Sequence, residues 1–192
     1  MRKNNFFKQI KKDLNNKKKV KSSFYFLLFF LVSFIVIYLV LSKTILYVYI
    51  NYFYGLVSTF LLNVIYSVDA SFVFDNILNA SIINISSLGY PVIINSLCTG
   101  ILEFTLLVSA IISSIGVSWR NRLYGVLTAI GVVIIFNSLR ITFTTFIITR
   151  FNLSIANFLH GFLFRLFLII IVIGTYWLWL RYVYKQWRLI YL

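Results

Sequence analysis

Three residues in this apolar chain have side chains suited to chemistry: Cys98, Arg140 and His160. Cys98 is the only cysteine and His160 the only histidine among 192 residues. Cys98 sits in Asn95-Ser-Leu-Cys-Thr-Gly100, where a polar, non-periodic region gives way to an apolar run from Ile101 to Val117. A cysteine with apolar flanks is ordinarily inert packing. At the start of a helix, however, the dipole and the first backbone N–H groups favour thiolate over thiol. Gly100, two residues on, lets a second backbone come close. Arg140 lies well inside an apolar run, which costs at least roughly 2.5–3.5 kcal/mol unless the charge finds water or a partner. An arginine snorkelling to the interface would be unremarkable, but Arg150 already marks that boundary. Asn137, one turn earlier on the same helical face, could hold the guanidinium in place. His160 could be a satisfied core histidine, yet its proton is mobile near neutral pH, and Gly161 leaves room beside it. A nucleophile, an acid/base and a fixed positive charge are what acyl transfer at a peptide bond requires.

Other chemistries have less to draw on. There is no second Cys or His for a zinc site, and Asp13, Asp69, Asp75 and Glu103 are too scattered for a catalytic carboxylate pair. No Gly-rich phosphate loop is present, so neither a metal nor a cofactor is expected. Glu103, inside the apolar run, is the one ionisable group left over. Orienting the histidine, or neutralising Arg140 or Arg165, are all open to it.

The elements that must position these residues are membrane helices. The chain is 61% hydrophobic and 11% charged, with a mean hydropathy of +0.93, far from the composition of a soluble domain. The net charge of +14 is not a nucleic-acid footprint. Nine of the 18 Lys and Arg fall in residues 1–21, before the first apolar span, and most others cap later spans. That is the pattern of cytoplasmic segments, for which anionic lipid headgroups are sufficient partners. The expected fold is an all-α polytopic membrane protein. A basic cytoplasmic tail (1–21) precedes one membrane-embedded domain (22–192) with spans at about 22–41, 98–117, 123–148 and 158–180. Residues 43–66, rich in tyrosine and asparagine, suit a helix lying on or dipping into the outer leaflet; a true second crossing is the alternative. Within 67–97, the runs 71–74, 81–85 and 91–94 are β-branched or aromatic and bounded by turn residues, so they read as short strands. Open strands cannot face lipid, which puts this segment outside the hydrocarbon. With both termini cytoplasmic, Cys98, Arg140 and His160 all fall toward the outer ends of their spans.

The order Cys98-Thr-Gly100, then Asn137-Ser-Leu-Arg140, then His160 resembles the exosortase/archaeosortase family over roughly Leu56 to Leu180. In that family a C-[ST]-G, an N-x-x-R and a later histidine form a Cys–Arg–His triad on a multi-spanning scaffold. The resemblance implies a membrane-embedded cysteine transpeptidase or protease in the cell membrane, acting on its extracytoplasmic side. It implies Cys98 as nucleophile, Arg140 as oxyanion stabiliser and His160 as acid/base. The implied substrates are secreted proteins ending in a short motif, a hydrophobic span and a basic tail. A non-enzymatic scaffold that binds other spanning helices is the competing function.

Reporter fusions after Val117 and after Leu180 are expected to report cytoplasm, and one at Asn84 the exterior. A cytoplasmic signal at Asn84 would overturn this topology and force residues 43–66 to cross.

Overall fold

Long apolar runs without alternation satisfy their backbone within the segment, and here they do so as helices. The computed structural model describes residues 17–94, 98–151 and 158–190; the side chains of 17–19, 159, 160, 165 and 186–190 fall outside that description. Helix α1 is Lys17–Lys43, α2 Ile45–Ile65, α3 Ile101–Ser113, α4 Trp119–Arg150 and α5 Phe164–Ile190. A π-helical turn, Leu159–Leu163, precedes α5. Among the described residues four segments are long and apolar enough to cross a membrane: Val20–Lys43, Ile45–Ile65, Trp119–Arg150 and Gly161–Lys185.

Between α2 and α3 the expected strands form as β1 (Ala70–Asp75), β2 (Ala80–Ile85) and β3 (Val92–Ile94). They make one antiparallel sheet in the order β1-β2-β3, with Phe72 opposite Ile83 and Ile83 opposite Val92. The first turn is built by its own residues. The Asp75 carboxylate accepts from the Ile77 and Leu78 N–H groups at 2.8 and 3.1 Å, and Asn79 takes the left-handed φ of +47° that asparagine tolerates.

One span differs from the sequence expectation. The run expected to cross at 98–117 forms a helix of only 13 residues, about 20 Å long at 1.5 Å per residue. Its C-cap Ser114 turns extended, and Gly116 follows at φ +79°. The helix can be short because α1, α4 and α5 all pack against it, so protein groups meet its ends. Ser113 lies 3.3 Å from Ser33 of α1, hydroxyl to hydroxyl. Ser114 shares a hydrogen bond with the Tyr176 hydroxyl at 2.9 Å, and its carbonyl accepts from Arg122 Nη2 at 2.8 Å. Helix α2, expected at the interface with a second crossing as the alternative, is long and apolar enough for either.

Its packing shows why it carries so many polar residues. Asn51, Ser58 and Thr59 are buried on one face, and the sheet lies along that face. Asn51 Nδ2 donates to the Asn79 carbonyl at 3.0 Å, and Ser81 Oγ to the Asn51 carbonyl at 2.6 Å. At the far end Asn63 bonds both backbone groups of Ala70, at 2.9 and 3.0 Å. Beyond it, Tyr66 stacks on Phe146 of α4 with ring centroids 4.2 Å apart. Helix α2 therefore follows the last third of α4, away from the Trp119 end.

The described residues form two apolar cores. One joins α2, the sheet and α4 through Tyr54, Leu62, Ile83, Ile85, Ile94 and Ile141. The other joins α3, α4 and α5 through Leu107, Val108, Ile111, Ala129, Trp179 and Val183. The Cys98 turn lies where they meet.

Gly55 is the close approach between α2 and the sheet: a Cβ there would sit 2.6 Å from Ser81 Cβ and also collide with the Phe72 ring. Gly55→Val should lower stability by about 1–3 kcal/mol through overpacking, read as a fall in Tm in detergent. An unchanged Tm would mean that the sheet does not seat on α2 as described.

Candidate active site

The turn at Cys98 depends on Gly100. Gly100 is the N-cap of α3 at φ +66°, ψ 16°, a left-handed conformation that costs an ordinary L-residue roughly 1–2 kcal/mol. Its carbonyl accepts from Phe104 N–H at 2.9 Å and starts the helix. A Cβ on Gly100 would come 3.1 Å from the Asn137 carboxamide. The glycine thus supplies both the bend and the clearance for α4.

Helix α4 then grips the turn by its backbone. Asn137 Nδ2 and Arg140 Nη2 both donate to the Cys98 carbonyl, each at 2.8 Å. Asn137 is fully buried and Arg140 is 4% exposed, so both bonds are shielded from water and the guanidinium bond is charge-assisted. Around them α4 turns its hydroxyls onto its own backbone: Thr142, Thr144 and Thr145 each bond the carbonyl four residues back, at 2.8–2.9 Å. That leaves Asn137 and Arg140 as the side chains of this stretch that reach across to the turn. Asn137 Oδ1 is buried with no hydrogen-bond partner among the described residues. The Cys98 side chain is half-buried and packs against the core of α2, the sheet and α4.

The structure thus gathers Cys98, Gly100, Asn137 and Arg140. Glu103 faces elsewhere, into an apolar cleft with Phe30 and Tyr176, and forms no ion pair with Arg140. The His160 backbone lies in the π-helical turn; its side chain is outside the described residues, as are residues 95–97 of the stretch leading to Cys98. The head of α5 nonetheless packs at the right level. Phe164 meets Phe143 of α4 edge to face at 5.9 Å, one turn along α4 from Arg140.

One residue of the site was missed by sequence reasoning. Tyr54 of α2, 3% exposed, lies beside the Asn137 side chain and within the fields of Arg140 and Glu103. With Thr99, Gly100, Ile101 and Phe104 it lines an apolar cavity of about 170 Å³. A signal was available: Asn51, Tyr54, Ser58 and Leu62 recur at three- and four-residue steps, the stripe of a buried helical face. No family model, curated protein or solved structure matches this chain.

Asn137→Ala removes one of the two described side-chain donors to the Cys98 carbonyl, and should cost about 1–3 kcal/mol. Gly100→Ala should cost as much, whereas Gly89→Ala, with nothing within 4 Å of the added carbon, should be near neutral. Thermal unfolding in detergent would rank the three, and equal Tm values would show that the turn does not depend on this clamp.

Proposed function

We propose that this chain is a membrane-embedded cysteine peptidase or transpeptidase of the kind the exosortase/archaeosortase resemblance implies. One observation carries the reading. The two halves of the resemblance, Cys98-Thr-Gly100 and Asn137-x-x-Arg140, are far apart in sequence yet hydrogen-bonded to each other. A coincidence of motifs gives no reason for that contact.

In this proposal α1, α3, α4 and α5 cross the membrane, with α3 crossing inside a sleeve of the other three. The basic turn at Arg120 and Arg122 is cytoplasmic. Arg140 lies 20 residues along α4 from Arg120, about 30 Å away, roughly the thickness of the hydrocarbon core. That puts the Cys98 turn at the extracytoplasmic boundary. Helix α2 runs on along the outer third of α4, and the sheet that covers it has edges that lipid could not satisfy. Both features favour an extracytoplasmic layer for α2 and the sheet.

The Cys98 thiol passes its proton to His160, and the resulting thiolate attacks the carbonyl carbon of a substrate peptide bond. Arg140 faces the oxygen as it takes up negative charge, and Asn137 keeps the turn in register. The C–N bond breaks, and His160 donates a proton to the leaving amine. Water or an amine acceptor, such as a lipid headgroup, then gives up its proton to His160 and attacks the thioester, which frees the thiol and releases the acid or amide product. Substrates are secreted proteins whose C-terminal hydrophobic span and basic tail hold the cleaved bond at this depth.

A scaffold without chemistry remains the second reading, because the same clamp also serves structure and the Cys98 side chain packs on an apolar core as an inert cysteine would. Substitution separates the two. Arg140→Lys keeps the charge but loses the planar fork, so a stabiliser of the oxyanion should lose about 10²–10³ in rate. Lys should be nearly as damaging as Ala at equal protein level. Cys98→Ala should leave unprocessed substrate in the membrane, and normal processing by that variant would leave the scaffold reading.

A further inference from the structure

The basic ends of α4 and α5 enclose a cleft of about 430 Å³ that the proposed chemistry does not use. Tyr124, Thr128 and Val132 recur at four-residue steps along one wall, and Thr175, Leu178 and Tyr182 at three- and four-residue steps along the other. Trp179 forms the back, where its indole is fixed by donating to the Asn121 carbonyl at 3.0 Å. The Thr128 hydroxyl donates to the Tyr124 carbonyl at 2.8 Å, so that wall keeps an apolar character. Charge gathers at the mouth. Arg120 precedes Tyr124 by one helical turn and Lys185 follows Tyr182 by nearly one, so both rim the cleft at its basic end, and both are exposed. Arg122 and Arg181, at the same end, are engaged elsewhere: Arg122 donates to the Ser114 carbonyl at 2.8 Å, and Arg181 lies over the Trp177 ring at 5.4 Å. The chain has little of its own to neutralise the rim. Residues 1–21 carry nine Lys and Arg against Asp13, and residues 186–192 add Arg188. The remaining acids lie beside and in β1 (Asp69, Asp75) and in α3 (Glu103).

We propose that this cleft holds one anionic glycerophospholipid, with an acyl chain against Trp179 between α4 and α5 and the phosphate between Arg120 and Lys185. A groove that is apolar along its length and basic at one end matches both parts of that molecule. A helix from a second copy of this chain would suit the apolar walls but bring further Lys and Arg to a basic rim. A zwitterionic lipid carries its own cation beside the phosphate and gains less from the pair. The site needs only that α4 and α5 cross a membrane, and it is independent of the peptidase reading.

Native mass spectrometry of the full-length protein in dodecyl maltoside reads the site directly, with phosphatidylglycerol and phosphatidylcholine of identical chains added at equal concentration. The wild type should retain phosphatidylglycerol as a one-to-one adduct, about tenfold more tightly than phosphatidylcholine, the scale of two basic groups facing one anionic headgroup. Arg120→Gln/Lys185→Gln should abolish that preference. Lys17→Gln/Lys21→Gln, which removes as much charge ahead of α1, should keep it. Thr128→Phe fills the cleft from an exposed position and should weaken retention of both lipids with the two cations still in place. Equal retention of the two lipids by the wild type would overturn the proposal. So would a preference lost to the same extent in the Lys17/Lys21 variant, which would reduce the effect to net charge. Retention undiminished by Thr128→Phe would overturn it as well, because the acyl chain would then lie outside the cleft.

Discussion

A single carbonyl oxygen, that of Cys98, ties the two cores together. It accepts from Asn137 and Arg140 of α4, while the turn that presents it leads through Gly100 into α3. Burying a guanidinium and a carboxamide is costly unless both are bonded, and a backbone carbonyl with two lone pairs can satisfy both at once. The constraint runs in both directions. Without the arginine and asparagine the left-handed turn loses both of these bonds to α4. Without the turn, α4 would carry an arginine in an apolar setting deprived of this acceptor.

The same hydrogen bond bears on how Arg140 is to be understood. An arginine that only marks an interface would extend toward water along its aliphatic stem. This one is buried and committed to the backbone of the residue that the chemistry would need. The commitment limits its mobility, and a group fixed before substrate arrives is what electrostatic stabilisation of a developing charge demands. Tyr54 extends the argument to α2. Its phenol borders the carboxamide of Asn137, so α2 contributes directly to the surroundings of the turn and is more than a cover.

Much of this was legible in the chain. The strands were readable because β-branched runs alternate with turn residues, and Asp75 and Asn79 build their turn locally. The partnership of Asn137 with Arg140 followed from helical spacing. The acceptor they share did not, since it is a backbone atom whose direction depends on φ at Gly100. The length of α3 was hidden for a related reason. From Ile101 to Val117 the composition is apolar apart from Glu103, and the helix ends where Arg122 of the next helix and Tyr176, distant in sequence, capture Ser114. Helix α2 could be read either way. Its hydropathy suits a span, while its buried asparagines make sense only against the strands that cover them. Glu103 could be singled out from sequence as unexplained, but the cleft it faces is assembled from three helices.

Helix α4 runs 32 residues without a break, about 48 Å, and the only proline in the chain is Pro91, outside it. Near its first turn the carbonyl of Asn121 accepts from the Trp179 indole at 3.0 Å, and a Cβ on neighbouring Gly125 would strike that indole. Near its far end it holds the Cys98 turn. A straight rod pinned at both ends acts as a lever. A tilt imposed where Trp179 bears on it would reappear, undiminished by any hinge, as a displacement of the guanidinium relative to the sheet. A load borne at the Trp179 contact would in this way reach the Cys98 turn through the mechanics of α4 alone.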